Sequence, residues 1–410
     1  MSDQFEEKNM KLLVEHFENG CKANCVQKLG VEIEHFIVEK KTGASVSYYG
    51  EHGVEYILNE MAKFFPKKEI FAGKNLIGMY NNDYSISIEP AGQLEVSIVP
   101  KESISVILVI YQLFLRMVTP ILNKLDYELV TLGYHPVSRA GDMPLIPKKR
   151  YEYMDAYFKT SGTCGYHMMR GTAATQVSID FCSEEDFVRK YRVAYQLMPA
   201  LKLLTDNTPY FDGKPYEGHL ARTYIWDNVD PVRCGVLPDL FSENFGFESY
   251  AKYLWNLPMI FVADGDAATY TGHKTAKELW ADRELTQADI EHILSMTFLD
   301  IRLKHYIEIR VADSMPAEYV MGYLALIKGL FFNSDILAAI QTRLPGSVEE
   351  ILRAQRAVQE KGWDAEIYGT NAKEFTHHLI EVAKAGLNLE EKAYLDVFSQ
   401  PVNEKKMKTM

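Results

Sequence analysis

The sequence predicts an α+β protein in which a curved antiparallel sheet has helices on its back and an open, ligand-binding face on its front. Apolar and polar residues alternate over 30–38, 172–181 and 301–311, as in strands with two different faces. Between such strands the apolar spacing is helical, most clearly over 102–126. No strand is followed by GxGxxG or GxxxxGK[ST], so neither a Rossmann nor a P-loop site is indicated.

Length and composition describe an ordinary globular chain. The 410 residues are 47% hydrophobic and 24% charged. A net charge of −12 argues against nucleic acid or an anionic membrane as the main partner. The first residues have no apolar segment of a signal peptide, and no apolar run is long enough to span a membrane. The five cysteines are scattered and form no CxxC pair, which favours a reducing compartment and argues against a zinc site. We therefore predict a cytoplasmic protein with one large domain over 1–400 and a disordered tail over 401–410.

The elements follow one another along the chain. Ser183 precedes three acidic residues, which is a helix-start pattern, and Asn81-Asn82-Asp83 is typical of a hairpin turn. The segment 206–248, rich in Gly, Pro and aromatic residues, is too long for a passive loop and is expected to contribute to a site. Helices are predicted over 5–18, 50–65, 102–126, 151–159, 183–204, 247–256, 274–280, 286–296, 316–341, 347–361 and 371–386. Strands are predicted over 30–38, 75–80, 84–89, 128–134, 172–181 and 301–311, and 140–150 is expected to be a loop.

Two of these strands carry pairs of acidic residues. Glu32 and Glu34 lie on one face of strand 30–38, about 7 Å apart. Their like charges repel, and burying them is unfavourable unless a cation compensates. Taken alone, this pattern also fits the solvated face of an edge strand. It recurs, however, where Glu89 ends one strand and Glu95 lies on the next.

The strand predicted over 301–311 adds cations to the acidic pattern. Arg302, Lys304, Glu308 and Arg310 share its polar face, although His305 interrupts the apolar one. Acids that hold a divalent metal, beside cations that hold phosphate, are what a nucleoside triphosphate site requires. The alternative for this stretch is an amphipathic surface strand.

Three arginines stand in the middle of the chain, at Arg170, Arg222 and Arg233. A guanidinium group binds carboxylates and phosphates through two parallel hydrogen bonds. Each of these arginines could equally form a surface ion pair. Their Gly- and aromatic-rich surroundings favour a role in a site.

Several motifs together carry a resemblance to a known family. In chain order they are GCK (20–22), GVEIEHF (30–36), SIEPAGQLEVS (87–97), DMPLIPKKRY (142–151), GTCGYHMMRGTAATQVSIDF (162–181), RTYIWDNVDPVRCGVLP (222–238), ENFGFESYAKYLWNLPMIF (243–261) and DIRLKHYIEIRVAD (300–313). The series resembles the plant-type glutamate–cysteine ligase family, which is also found in bacteria. The resemblance is clear over about residues 10–335 and weaker afterwards.

The resemblance implies a catalytic fold related to glutamine synthetase and an ATP-dependent ligase that requires more than one Mg²⁺. ATP would phosphorylate the γ-carboxylate of glutamate, and an amine, conventionally that of cysteine, would then displace phosphate. By position, the implied metal ligands are Glu32, Glu34, Glu89, Glu95, Glu308 and Gln176. The implied phosphate-binding and catalytic cations are Arg302, Lys304, Arg310 and Arg233, and the implied substrate-binding residues are Arg170, Arg222 and Arg233.

Other functions remain open at the level of sequence. The same ATP chemistry could serve a γ-glutamyl ligase with a different acceptor amine. A non-catalytic nucleotide- or metal-binding protein and a metal-dependent hydrolase are further alternatives. The predicted partners are small molecules in the first two cases, and the oligomeric state stays open.

Overall fold

The structure, a computed structural model, describes residues 2–22, 26–65, 68–264 and 267–399; the predicted tail 401–410 lies outside the described residues. The strands are β1 (Leu29–Glu39), β2 (Glu69–Ala72), β3 (Asn75–Tyr80), β4 (Tyr84–Ile88), β5 (Leu94–Lys101), β6 (Tyr127–Val130), β7 (Ala174–Ile179), β8 (Tyr210–Phe211), β9 (Lys214–Pro215), β10 (Cys234–Gly235), β11 (Phe261–Asp264), β12 (Ala267–Tyr270), β13 (Phe298–Leu299), β14 (Ile301–Leu303), β15 (Ile307–Asp313), β16 (Glu366–Ile367) and β17 (Thr370–Asn371).

The helices surround the strands. They are α1 (Ser2–Glu18), α2 (Val54–Ala62), α3 (Ile104–Lys124), α4 (Lys149–Ser161), α5 (Glu184–Leu204), α6 (Ala221–Asp227), α7 (Phe247–Trp255), α8 (Ala276–Leu279), α9 (Gln287–Leu294), α10 (Ala317–Phe331), α11 (Ser334–Gln341), α12 (Val348–Lys361), α13 (Ala372–Ala385) and α14 (Leu389–Tyr394). A π-helical turn covers His167–Gly171, and short 3-10 turns cover Ala140–Asp142, Gly362–Asp364 and Leu395–Ser399.

One nine-stranded sheet organises the molecule, and all its strand pairs are antiparallel. Its order is β14-β15-β7-β1-β5-β4-β3-β2, and β6 pairs with the far end of β1. The predicted α+β class with an antiparallel sheet is confirmed. Strand β1 is central because β5 and β7 flank it, and its register places Glu34 opposite Glu95 and Glu32 opposite Gln176.

Helix α3 covers part of the back of the sheet and buries one side, including Ile107, Phe114 and Val118. By length and composition it meets the criterion for a membrane-crossing helix, which buried core helices also meet. Helices α10 and α11 meet the same criterion only as a pair, and they are bent by 84° at their junction. That bend corrects the single helix predicted over 316–341, because the Asn333 side chain accepts from the first amides of α11 and starts a new helix.

The strand predicted over 301–311 is wrong as one strand. It is the hairpin β14–β15, closed by a hydrogen bond from the Lys304 amide to the Tyr306 carbonyl (2.8 Å), with Arg302 directly opposite Glu308. His305, which breaks the alternation, lies in the turn. The consequence is that these cations and Glu308 meet across two strands instead of following one another along a single strand.

Two smaller expectations also change. Helix α4 begins at Lys149, so the end of the predicted loop 140–150 belongs to its first turn. Cys182 is disulfide-bonded, whereas Cys21, Cys164 and Cys234 are free, so the expectation of fully reduced cysteines is corrected. The helix start at Ser183 is confirmed, since its side chain accepts from the Asp186 amide at 3.1 Å.

Candidate active site

The front of the sheet forms the floor of a cavity of about 320 Å³. Strands β1, β4, β5, β7, β14 and β15 supply its polar side, and α4, the π-helical turn and α6 supply its other walls. Side chains from distant parts of the sequence therefore converge on one space. The charged and amide side chains that line it are Glu32, Glu34, Glu89, Gln93, Glu95, Lys148, Arg150, Gln176, Arg222, Arg302 and Arg310.

Four of the predicted metal-binding acids line this cavity. Glu34 and Glu95 face each other across β1 and β5. Glu95 accepts from two serine hydroxyls, and Glu34 accepts from the Gln176 amide (3.1 Å) and the Ala174 backbone N–H (2.8 Å). Among the described residues, no side-chain or backbone group donates to the carboxylates of Glu32 and Glu89. These two acids are therefore free to take a ligand.

The protonation of these acids reflects their crowding. Burial is the main reason that the pKa of Glu32 and of Glu95 rises to about 7, and the charges of neighbouring glutamates add to it. Burial likewise raises the pKa of Glu34, with further contributions from neighbouring glutamates. Burial also raises the pKa of Glu89, although the charges of Lys148 and Arg150 oppose this shift. Carboxylates in this state gain most from a bound cation, because the cation removes both the desolvation and the repulsion.

Glu308 differs from the other acids because it is already paired with cations. It is fully buried, and its Oε2 accepts from Arg302 (2.7 Å) and Arg310 (3.0 Å) while its Oε1 accepts from Lys304 (2.8 Å). Burial alone would raise the pKa of Glu308, but these three cations together hold it well below its usual value. Glu308 does not line the cavity itself, and its contacts position the three cations. Its predicted role as a metal ligand stays a prediction.

The predicted phosphate-binding cations divide into two groups. Arg302 and Arg310 line the cavity, and Arg310 also donates to the Gln176 side chain. Lys304 is held by Glu308 and by the Tyr306 hydroxyl (3.3 Å), and it lies beside the cavity without lining it. Gln176 thus joins the acidic and the cationic sides, because it contacts both Glu34 and Arg310.

Only one of the three mid-chain arginines reaches the cavity. Arg222 on α6 lines it, donates to the backbone carbonyls of residues 310 and 311, and leaves its Nε without a partner. Arg233 is fully buried elsewhere and donates to Asp230 (2.6 Å), a tyrosine hydroxyl and two backbone carbonyls. Arg170 is held by Asp155 and a backbone carbonyl. Arg170 and Arg233 thus do not line the cavity, and their contacts support a structural role. The substrate-binding and catalytic roles predicted for them stay predictions.

Sequence reasoning missed other residues of the cavity. Gln93 donates to the carbonyls of Met169, Arg170 and Thr172, at 3.1–3.3 Å, and so holds the π-helical turn against the cavity. Lys148 and Arg150 also line the cavity, together with the Tyr151, Met154, Trp226 and Phe298 side chains. The cationic run 148–150 was a visible signal, but nothing in the sequence distinguished its cavity-lining members from an exposed loop.

The donor set was tested for a metal ion. Within the parts of the chain that the structure describes, no three His, Cys, Asp or Glu side chains form a group able to hold one alone. Mg²⁺ does not require such a group, since it is commonly bound by one or two carboxylates together with substrate phosphates and water. The unpaired Glu32 and Glu89 meet that smaller requirement, so the residues fit a magnesium–nucleotide complex.

Solved structures identify the fold. The protein is similar to glutamate–cysteine ligase from Francisella tularensis, solved in complex with AMP, with a TM-score of 0.56 and 11% identity over 93% of this chain and 82% of that one. It is also similar to a bifunctional glutathione synthetase from Pasteurella multocida, with a TM-score of 0.50 and 13% identity over 99% of this chain and 51% of that one. At these identities the likeness establishes the fold alone. This is the ligase fold of the glutamine synthetase type that the sequence predicted.

Sequence comparison then shows the family. The model of glutamate–cysteine ligase family 2 matches residues 28–400. A relative from Oryza sativa subsp. japonica, glutamate–cysteine ligase A, chloroplastic, is 31% identical over 94% of this chain and 79% of its own length. The chain belongs to the glutamate–cysteine ligase family, and the predicted resemblance is confirmed.

A further relative bears on length and on location. Glutamate–cysteine ligase, chloroplastic, from Arabidopsis thaliana is 32% identical over 80% of this chain, which spans 64% of that relative. Both relatives are named chloroplastic, which contradicts the predicted cytoplasmic location. That prediction was drawn from the composition of the first residues, and this composition alone does not report the compartment.

Proposed function

We propose that the protein is an ATP-dependent ligase that joins the γ-carboxyl group of L-glutamate to the amine of L-cysteine, forming γ-glutamylcysteine, ADP and phosphate. One observation carries the proposal: the unpaired acids Glu32 and Glu89 share a cavity with Arg302 and Arg310, which the buried Glu308 holds in place. The family membership and the activities named for its relatives support the choice of substrates.

The chemistry explains why both charge types are needed. A carboxylate does not react with an amine in water, so a γ-carboxylate oxygen first attacks the terminal phosphorus of ATP and ADP leaves. The amine nitrogen then attacks the carbonyl carbon of the acyl phosphate, phosphate leaves, and the amine loses a proton. Arg302 and Arg310 stabilise the charge that develops on the transferring phosphoryl group.

The remaining roles follow from position in the cavity. The proposed ligands of Mg²⁺ are Glu32, Glu89 and Glu95. Glu34, opposite Glu95 on the sheet, accepts a hydrogen bond from Gln176, and these two side chains support the ligands. When bound, the ion neutralises phosphate oxygens and orients them. Arg222, with a free Nε, is the proposed binder of a substrate carboxylate. A site walled by Met and aromatic side chains limits water and so protects the acyl phosphate from hydrolysis.

We also propose one catalytic domain over residues 1–400. The family match over 28–400 and a single large hydrophobic cluster that joins residues from α1 to the turn at Leu395–Ser399 support this extent. The substrates are accordingly small molecules that enter one cavity.

The direct test measures ADP release by the purified protein with ATP, Mg²⁺ and L-glutamate, adding each amino acid and several small amines in turn. Strong turnover with cysteine and a product of the mass of γ-glutamylcysteine are expected. Strong turnover with another amine and weak turnover with cysteine would instead assign a different acceptor. Absence of ADP with every acceptor would contradict the ligase function.

A further inference from the structure

Within the described parts of the chain, two cations of the cavity, Lys148 and Arg150, have neither an ion pair nor a side-chain hydrogen bond, whereas Arg222 donates to backbone carbonyls. Arg302 and Arg310 are paired with Glu308. Lys148 and Arg150, at the start of α4, form no hydrogen bond through their side chains and lie within 4 Å of no carboxylate among the described residues. Arg150 also keeps a buried Nε–H without a partner.

Their neighbours hold these two side chains beside the cavity without neutralising them. The Lys148 ammonium lies 5.1 Å from the centre of the Tyr151 ring, and the Arg150 guanidinium lies 5.8 Å from it. Arg150 also lies 5.9 Å from the Phe261 ring. Contacts with ring faces orient a cation but leave its hydrogen-bond donors available.

Two half-buried cations without an ion pair are unfavourable in the protein without a ligand. Partial burial is the main cause that lowers the pKa of Lys148, and the charge of Arg150 lowers it further, while Glu89 and Glu95 oppose the shift. A cation that lines a cavity without an ion pair or a hydrogen-bond acceptor is best explained by a ligand. The ligand must be anionic and must accept several hydrogen bonds.

We propose that Lys148 and Arg150 bind the polyphosphate chain of the nucleotide, in the cavity that they share with Arg302 and Arg310. This inference rests on the proposed function, since it assigns residues to its nucleotide. Both cations lie near Glu89, one of the two unpaired acids, and their charges act on its carboxylate. Because Mg²⁺ commonly joins a carboxylate to phosphate oxygens, a phosphate held through Glu89 lies beside these cations.

A substrate carboxylate is the competing anion. It carries one charge, and Arg222 on another element already offers an unpartnered guanidinium for it. Two separate cations plus an ion-binding acid match the several charges of a polyphosphate better than the single charge of a carboxylate. If Lys148 and Arg150 bind polyphosphate, replacing them affects the KM for ATP. If they bind a substrate carboxylate, replacing them affects the KM for glutamate.

The chain offers a matched control at the neighbouring position. Lys149 is exposed and forms an ion pair with Glu152 at 2.5 Å, and it does not line the cavity. The variants Lys148→Ala and Arg150→Met therefore each remove a cation that lines the cavity. The control Lys149→Ala removes a neighbouring cation that does not. Arg150→Lys keeps a charge, and melting temperatures verify that each variant is folded.

The experiment uses inorganic tripolyphosphate with Mg²⁺ as the probe and measures its affinity by calorimetry, alongside KM for ATP and for glutamate. Lys148→Ala and Arg150→Met are each expected to weaken tripolyphosphate by about tenfold or more and to raise KM for ATP, with KM for glutamate unchanged. Lys149→Ala is expected to match the wild type, and Arg150→Lys to recover part of the affinity. The two cavity variants should change the melting temperature only slightly, because the lost cations had ring contacts but no ion pair or hydrogen bond.

Three results would overturn the inference. They are the absence of tripolyphosphate binding in the wild type, unchanged affinity in both cavity variants, and a rise in KM for glutamate with unchanged tripolyphosphate affinity. The binding assay does not need turnover. A wild type that binds tripolyphosphate through Lys148 but releases no ADP with any acceptor would therefore contradict the proposed function and leave this inference standing.

Discussion

Replacing Glu308 with glutamine tests the buried ion cluster most directly. The carboxylate accepts from Arg302 through two nitrogens at 2.7 Å, from Lys304 at 2.8 Å and from Arg310 at 3.0 Å. Glu308→Gln keeps the shape of the side chain but removes its charge. One of its two oxygens also becomes an NH₂ group that faces a cation. Three cations then lose the single carboxylate that holds them.

The expected loss follows from the burial. Glu308 is 0% exposed, and removing one partner of a buried ion pair costs about 3–5 kcal/mol because it leaves the opposite charge uncompensated. Glutamine retains one acceptor oxygen, so we expect about 3 kcal/mol. At a slope of about 3 kcal/mol per molar urea, the unfolding midpoint falls by about 1 M.

The ion cluster around Glu308 also determines how the stability loss of Glu308→Gln depends on pH. Burial would raise the pKa of Glu308, but Arg302, Lys304 and Arg310 hold it well below its usual value. A depressed carboxyl pKa stabilises the folded state above the ordinary pKa of the group and loses this effect only as the solution becomes more acidic. The deficit of Glu308→Gln should therefore be the same at pH 6 and at pH 8.

The assay is urea unfolding followed by fluorescence at both pH values, with ADP release measured on the folded protein. Glu360→Gln is the control, since Glu360 is exposed near the end of α12 and its replacement should change stability by less than about 0.5 kcal/mol. ADP release should be lost in Glu308→Gln because Arg302 and Arg310 are no longer held. A variant with the wild-type midpoint and wild-type turnover would refute the reasoning.

Three further predictions concern the acids and the arginines. The melting temperature of the protein without ligands should be lower at pH 8 than at pH 6. Burial raises the pKa of Glu32 and of Glu95 to about 7, so the folded state loses stability as these acids ionise. Calorimetric scans at the two pH values check the direction of this change. Mg²⁺ with nucleotide should raise the melting temperature, and more at pH 8, where these acids need not lose protons to bind; a shift independent of pH would count against the site. Arg222→Met should raise KM for glutamate at least tenfold. Arg233→Met should leave this KM unchanged but destabilise the fold by about 3–5 kcal/mol, because Asp230 then stays buried without its ion-pair partner. Kinetics and urea unfolding on the same preparations check both outcomes.

Local pattern was sufficient for much of the fold. The alternation in β1 and the capping pattern at Ser183 predicted elements that the structure contains, because both depend on residues within a few positions. The pairing of Glu34 with Glu95 depends on strands some sixty residues apart, and no local pattern contains it. The hairpin β14–β15 lay between these cases, since the interruption by His305 was visible but was not interpreted as a turn.

The site was less predictable than the fold, and the arginines show why. Arg222 and Arg233 stand in the same segment and have the same chemistry. One lines the cavity with a free nitrogen, and the other is occupied on every side by Asp230 and neutral acceptors. Whether an arginine is free for a ligand depends on partners that tertiary structure brings to it, and residue type does not report them.

The acids make the same distinction and explain how the site can hold both charge types. Glu308 and Glu32 lie on the same sheet, yet their pKa values move in opposite directions: one has three cations around it, and the other has burial and like charges as its main neighbours. If every acid were paired internally, none would be available for a metal ion; if none were paired, Arg302 and Arg310 would have no fixed position. The unpaired acids Glu32 and Glu89 therefore destabilise the fold but are available to bind a metal ion. The buried ion pairs of Glu308 fix the positions of Arg302 and Arg310.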